Sequence, residues 1–75
     1  MRVVFKHIQH LGLETKSKEY VITQSKSIQQ ILLDDGIDLE LIKSVTFLVN
    51  GMHEKSDYVV KEGDCVSIIP IVSGG

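Results

Sequence analysis

The segment SKSIQQILLDDG, residues 25–36, constrains the fold most strongly because its apolar residues recur with the period of an α-helix. The side chains that share one helix face are Ile28, Ile31 and Leu32. Ser25 or Ser27 can accept a hydrogen bond from the free N–H groups at the amino end. Gly36 can take the left-handed conformation that ends a helix. The sequence therefore predicts one amphipathic helix with a single apolar face to bury.

Two strand-like segments precede this helix. Residues 2–8, RVVFKHI, carry the branched and aromatic side chains that are typical of strands, and residues 19–23, EYVIT, form a second short segment. The polar stretch GLETKSK reads as their connection, which predicts an antiparallel hairpin. Apolar side chains fall on both faces of the first segment, so its alternation leaves open which face is buried.

The residues after the helix predict a short turn and a third strand. Asp38 can cap one or two further helical turns through residues 39–42. The segment SVTFLVNG then alternates, with Val45, Phe47 and Val49 on one face. The Asn50-Gly51 pair that follows is a strong turn signal, so the third strand ends there.

A second turn, at residues 62–64, leads into the last strand, CVSIIPIV. Its alternation places Val66 and Ile68 on the core face and Ile69 on the opposite face. Pro70 has no N–H to donate to a ladder, so we expect regular pairing to weaken or stop near this residue.

The order strand, strand, helix, strand, strand is α+β and predicts a small mixed sheet of four to five strands packed on one main helix. A chain of 75 residues forms one core rather than two. The 8 basic and 10 acidic side chains are scattered, which predicts no nucleic-acid partner. No apolar stretch approaches the roughly 20 residues of a membrane span, and no signal peptide is evident, so we expect a cytoplasmic protein without a membrane partner.

Metal and thiol chemistry find little support in the sequence. The three histidines, His7, His10 and His53, lack the paired spacing of a structural zinc site, and we expect His53 to be solvated. Cys65 is the only cysteine, so it cannot form an internal disulfide. It follows Asp64, whose charge disfavours a reactive thiolate. We interpret Cys65 as structural or incidental.

The last residues given, 62–75, have the sequence EGDCVSIIPIVSGG. This segment contains a Gly-Asp turn, then an apolar strand with a proline, and finally two glycines. Together with LVNG at residues 48–51 and the element order before it, this segment resembles the ubiquitin-like sulfur carrier proteins. That family includes the small subunit of molybdopterin synthase, the thiamine-pathway sulfur carrier and the archaeal ubiquitin-like small modifiers. The resemblance covers nearly the whole chain in length and order. Ile71 stands where several relatives have a second proline, which leaves the pathway open.

The resemblance implies a ubiquitin-like β-grasp over residues 1–71 and a flexible diglycine tail over residues 72–75. It also implies that an E1-like adenylating enzyme uses ATP to activate the carboxylate of Gly75, after which a sulfur donor displaces AMP and leaves a thiocarboxylate. A sulfur-accepting synthase subunit would then receive the sulfur. The protein would be a co-substrate with no bound cofactor or metal, and not an enzyme.

The glycines suit delivery into an enclosed site, because side chains near the reacting carboxyl would block a narrow channel. Gly74 and Gly75 have no side chain and reach backbone conformations closed to other residues. Pro70 should stiffen the exit from the sheet. Apolar and small residues close to the tail are candidates for contact with a partner; they are Ile69, Ile71, Val72 and Ser73. Ile69 and Ile71 could instead cover the second face of a small curved sheet.

Two alternatives to sulfur transfer stay open at this point. In the first, a lysine amine attacks the same adenylate, and the protein becomes a modifier joined through an isopeptide bond. In the second, the protein is a ubiquitin-like binding module that uses its sheet and never activates its terminus.

Overall fold

In a computed structural model, which describes residues 1–8 and 15–70, five strands form one mixed sheet and two short helices pack on it. In chain order the elements are β1 (Arg2–Ile8), β2 (Thr15–Val21), α1 (Ile28–Asp34), α2 (Leu39–Lys43), β3 (Val45–Val49), β4 (Met52–Glu54) and β5 (Cys65–Pro70). The order of strands across the sheet is β2-β1-β5-β3-β4. β5, the last strand of the described residues, is therefore the central strand of the sheet.

The pairing makes the sheet mixed. β5 runs parallel to β1 and antiparallel to β3, while β1 with β2 and β3 with β4 form antiparallel hairpins. The predicted α+β class, the first hairpin and the central helix are confirmed. The two helices of the described residues, of seven and five residues, are too short to span a membrane.

The predicted bounds of β2 are wrong. The strand runs over Thr15–Val21 rather than over residues 19–23, because it pairs with β1 from Arg2 opposite Val21 to Ile8 opposite Thr15. The polar residues 15–18 of this strand were predicted to belong to the connection. β2 lies at the edge of the sheet, where charged side chains are favoured because they prevent pairing with other chains. On its inner side, Lys18 contacts Asp35 just beyond α1, with Nζ 2.9 Å from Oδ2.

A further strand, β4, was not assigned from the sequence. Asn50 and Gly51 both have positive φ, 51° and 85°, which is the backbone of a tight hairpin turn. The chain therefore returns directly after β3 and pairs Met52 with Val49. Three residues are too few for a visible alternation, so only the turn was recognisable.

The helix predictions are confirmed in their details. Ser27 caps α1, with its hydroxyl oxygen accepting a hydrogen bond of 3.1 Å from the N–H of Gln30. Gly36 follows with a φ of 86°. Asp38 caps α2 and accepts a hydrogen bond of 3.4 Å from the N–H of Glu40. Each helix thus begins at a residue that satisfies part of its free amino end.

The core lies between α1 and one face of the sheet, which we call the inner face. Val3 and Phe5 of β1 are fully buried there, so the structure decides the face that the sequence left open. Val66 and Ile68 of β5 point the same way and are buried, as predicted. The described buried apolar side chains are Val3, Phe5, Ile22, Ile28, Ile31, Leu32, Ile42, Phe47, Val49, Val60, Val66 and Ile68. Burial of this one cluster supplies most of the driving force for folding.

Candidate functional site

The candidate site is the C-terminal end of β5, at Pro70, which residues 71–75 follow in the sequence. Ile69 lies opposite Thr46 and Pro70 lies opposite Val45, both on β3. Pro70 is exposed and Ile69 is half-buried. The other predicted site residues, Ile71, Val72, Ser73, Gly74 and Gly75, lie outside the described residues. Of the predicted set, the structure therefore places Ile69, at the end of the central strand.

Ile69 lies on the second face of the sheet, which we call the outer face. Alternation places Ile69 opposite to the buried Val66 and Ile68, as predicted. Both helices pack on the inner face, so the described side chains of the outer face are half-buried or exposed rather than buried. On the three central strands, β1, β5 and β3, the uncharged outer-face side chains that the structure describes are Val4, Thr46, Leu48, Cys65, Ser67 and Ile69. They make an apolar and small-residue surface that leads to the end of β5.

A hydrogen bond joins Thr46 of this surface to His53 on the neighbouring strand β4. Thr46 Oγ1 and His53 Nε2 are 2.7 Å apart and share a hydrogen bond. His53 is exposed, as expected, but this bond was not foreseen, because the pairing of Leu48 with His53 brings the two residues together only after the β3–β4 turn forms. Since Thr46 lies opposite Ile69, the pair fixes the polar edge of the surface.

A buried carboxylate that the sequence did not reveal lies directly before the opposite end of β5. Asp64 is only 6% exposed. Its Oδ1 accepts a hydrogen bond of 3.0 Å from Asn50 Nδ2. Its Oδ2 accepts one of 3.0 Å from the hydroxyl of Tyr58 and one of 2.8 Å from the N–H of Lys61. Three donors from the β3–β4 turn and from the loop before β5 therefore converge on one carboxylate.

This arrangement favours the ionised form of Asp64. Burial raises the pKa of the carboxyl, but the hydrogen bonds from Lys61, Asn50 and Tyr58 together outweigh it and hold the pKa below its usual range. The sequence indicated a turn at residues 62–64, which the φ of 82° at Gly63 confirms, yet not the burial of its acid. Two of the three donors, Asn50 and Tyr58, lie 14 and 6 residues before Asp64 in the chain, so no local pattern could show them.

The start of β5 is also held through its backbone. The N–H of Val4 donates to the carbonyl of Asp64 at 3.0 Å, and the N–H of Cys65 donates to Asn50 Oδ1 at 2.9 Å. Cys65 itself is half-buried with a free thiol. Among the residues that the structure describes, no three His, Cys, Asp or Glu side chains come together as a metal site would require.

Known proteins resemble this chain in sequence and in fold. The family model described as the ThiS family matches residues 5–75. The crystal structure of SAMP1 from Haloferax volcanii is similar, with 17% sequence identity, a TM-score of 0.68 and complete coverage of both chains. A chain from the protein–protein complex of subunits 1 and 2 of molybdopterin-converting factor from Helicobacter pylori 26695 is similar too. It has 19% identity, a TM-score of 0.59 and complete coverage of both chains.

No curated protein sequence matches this chain. At such identities the two solved structures bear on the fold alone. The fold is the ubiquitin-like β-grasp, a mixed sheet wrapped over a central helix.

Proposed function

The chain belongs to the ThiS family, and from that membership we propose that it is a ubiquitin-like sulfur carrier whose C-terminal Gly75 is converted to a thiocarboxylate. The observation that carries the proposal is the position of β5. The family match extends through residue 75, and β5 brings the chain up the centre of the sheet to an exposed Pro70, five residues before the diglycine end. We take residues 72–75 to be the tail that a partner enzyme receives.

The chemistry follows from the weakness of a carboxylate as an acyl donor. In the first step the Gly75 carboxylate attacks the α-phosphorus of ATP, pyrophosphate leaves and an acyl adenylate forms. In the second step hydrosulfide attacks the acyl carbon, the bond from that carbon to the AMP oxygen breaks, and AMP leaves with its electron pair. One proton is released and a thiocarboxylate remains. An E1-like adenylating enzyme supplies the catalytic groups, and this chain supplies the acyl group.

The tail residues have separate tasks in this scheme. Gly74 and Gly75 let the reacting carboxyl enter a narrow channel without obstruction by side chains. Ser73 is tolerated because it is small, and Pro70 restricts the backbone where the tail begins, which limits the entropy lost on insertion. None of these residues needs to act as an acid or a base.

The outer face is proposed as the surface on which partners dock. A protein that encloses the tail must also cover the end of β5, where Ile69 is half-buried and Pro70 is exposed. Ile69, together with Ile71 and Val72, would give such a partner an apolar contact, and apolar contacts exclude water from the channel entrance. We propose two partners: the adenylating enzyme and a sulfur-accepting synthase subunit, both acting in the cytoplasm.

Intact mass spectrometry tests the proposal. The purified protein is incubated with the adenylating enzyme from the same genome, ATP and a sulfide source. Replacement of oxygen by sulfur raises the mass by roughly 16 Da. Omission of ATP serves as the control and should leave the mass unchanged. An unchanged mass in the complete reaction would instead favour a binding module that never activates its terminus.

The second candidate, a protein modifier, uses the same adenylate with a lysine amine as the nucleophile. The products that form in cells distinguish a protein modifier from a sulfur carrier. Immunoblots against an amino-terminal tag would show conjugates of higher mass that disappear when Gly75 is deleted. Sulfur transfer alone predicts the mass gain without such conjugates.

A further inference from the structure

The charges on the outer face are unevenly placed. On its three central strands the described charged side chains are Arg2 and Lys6, and both are basic and lie on β1. The acid on the described outer face is Glu19, on the edge strand opposite Val4. The chain as a whole has a net charge of -2, so the surface that leads to the tail differs in sign from the rest of the protein.

Lys6 is the basic residue on this face that lies nearer to the end of β5. It is opposite Ser67 in the parallel pair of β1 with β5, and Ile69 lies two residues further along the same face, about 7 Å along the strand. Lys6 is exposed, and among the described residues the ion pairs are Lys18 with Asp35 and Lys26 with Asp34. Its ammonium group is therefore available to a partner.

A partner that encloses the tail must approach Lys6. It has to seal against Ile69 and Pro70, and Lys6 is one strand away from Ser67, next to that seal. Covering an ammonium group without an opposite charge is costly, because the group loses its hydration and gains nothing in return. An acidic side chain on the partner removes this cost and also attracts the carrier over a longer range.

We propose, as an extension of the sulfur-carrier function, that Lys6 pairs with a carboxylate of the adenylating enzyme beside the channel that receives the tail. The apolar outer face contributes contact area, and the Lys6 pair contributes orientation and the rate of association. Lys6 thus selects partners that combine an apolar patch with an acid at its border.

Charge reversal tests this proposal with a matched control. Lys6→Glu and Lys61→Glu change the net charge equally, and both lysines are exposed, but Lys61 lies in the loop before the Asp64 end of β5. Thiocarboxylate formation is followed by intact mass over a range of salt concentrations. We expect Lys6→Glu to raise the KM for the carrier about tenfold at low salt and to weaken its salt dependence, with kcat unchanged. Lys6→Gln should lie between wild type and Lys6→Glu.

Zero-length carbodiimide cross-linking gives an independent readout, because it joins only an amine and a carboxyl that are already in contact. Peptide mapping of the cross-linked complex should find Lys6 joined to an acidic residue of the enzyme. Equal KM values for Lys6→Glu and Lys61→Glu, or a complex cross-linked only through other lysines, would overturn the proposal. A wild-type protein that gains no sulfur at all would instead contradict the sulfur-carrier function itself, so the two failures are distinguishable.

Discussion

At the start of β5 the carboxylate of Asp64 is buried and accepts three hydrogen bonds, whereas at its far end Pro70 is exposed and has no N–H to donate. The first end is held by groups from β1, from the β3–β4 turn and from the preceding loop. The second end contacts β3 through the pairing of Pro70 with Val45.

We infer from this difference that the two ends of β5 have separate roles: the Asp64 end stabilises the fold, and the Pro70 end positions the tail for transfer. A buried and hydrogen-bonded carboxylate is costly to disturb, so the Asp64 end fixes where β5 lies between its neighbours. With that end fixed, Pro70 at the other end keeps a constant place on the surface of the sheet. Changes near Asp64 should therefore affect folding, and changes in the tail should affect transfer.

Deletion of Gly75 is expected to have the largest effect, and it falls on transfer alone. The remaining carboxylate would sit about 3.5 Å short of its place in the partner, and a misplacement of that size costs at least about 100-fold in rate. The melting temperature should stay within about 1 °C of wild type, because a chain terminus makes few packed contacts. Ser73→Ala, which keeps the length and the small side chain, serves as the control. A large fall in the melting temperature would contradict the proposed separation between residues that stabilise the fold and residues that act in transfer.

Asp64→Ala should have the largest effect on stability. It leaves the hydrogen-bond donors of Asn50, Tyr58 and Lys61 without their acceptor, and we expect a loss of about 3 kcal/mol in the free energy of unfolding. Urea titration measures it, with Asp57→Ala at an exposed acid as the control. At a temperature where the variant is folded, sulfur transfer should continue. A loss no larger than that of the control would contradict the role of Asp64.

Tyr58→Phe is a smaller change at the hydrogen bonds of Asp64. It removes one of the three donors and keeps the ring, so we expect a loss of about 1 kcal/mol in the free energy of unfolding. Asp64→Ala combined with Tyr58→Phe should cost less than the sum of the two, because both changes remove the same bond. Full additivity in this double-mutant cycle would show that the hydrogen bond contributes nothing.

The smallest expected effect is a dependence on acid pH. The pKa of Asp64 is lower in the folded protein than in the unfolded chain, so ionisation stabilises the fold at neutral pH. This contribution is complete above the unfolded pKa, near pH 4, and is lost as the pH falls through the folded pKa. The stability difference between wild type and Asp64→Ala should therefore shrink below about pH 4. A difference that does not change with pH would mean that the carboxylate charge is unimportant.

Local patterns in the sequence predicted the elements that position the site. The period of Ile28, Ile31 and Leu32 predicted α1, and the alternation of Val66, Ile68 and Ile69 predicted the two faces of β5, because in each case packing follows the local geometry of the backbone. The tail motif led to the family through resemblance. These features lie within short segments of the chain.

What the sequence did not show depends on residues that are distant in the chain. The polar start of β2 is stabilised by its register with β1 and by the contact of Lys18 with Asp35, and neither leaves a local signal. The burial of Asp64 depends on Asn50 and Tyr58 in the same way. The place of Lys6 beside the end of β5 requires the register of the parallel pair, which only the fold supplies.

The most direct test of the central claim is to locate the sulfur after activation. Cleavage after Lys61 releases a peptide of residues 62–75 that contains both Cys65 and Gly75. Fragmentation by tandem mass spectrometry should place a gain of roughly 16 Da on Gly75, and the gain should persist in Cys65→Ser. A gain of roughly 32 Da on Cys65, as a persulfide would give, with Gly75 unchanged, would contradict the account.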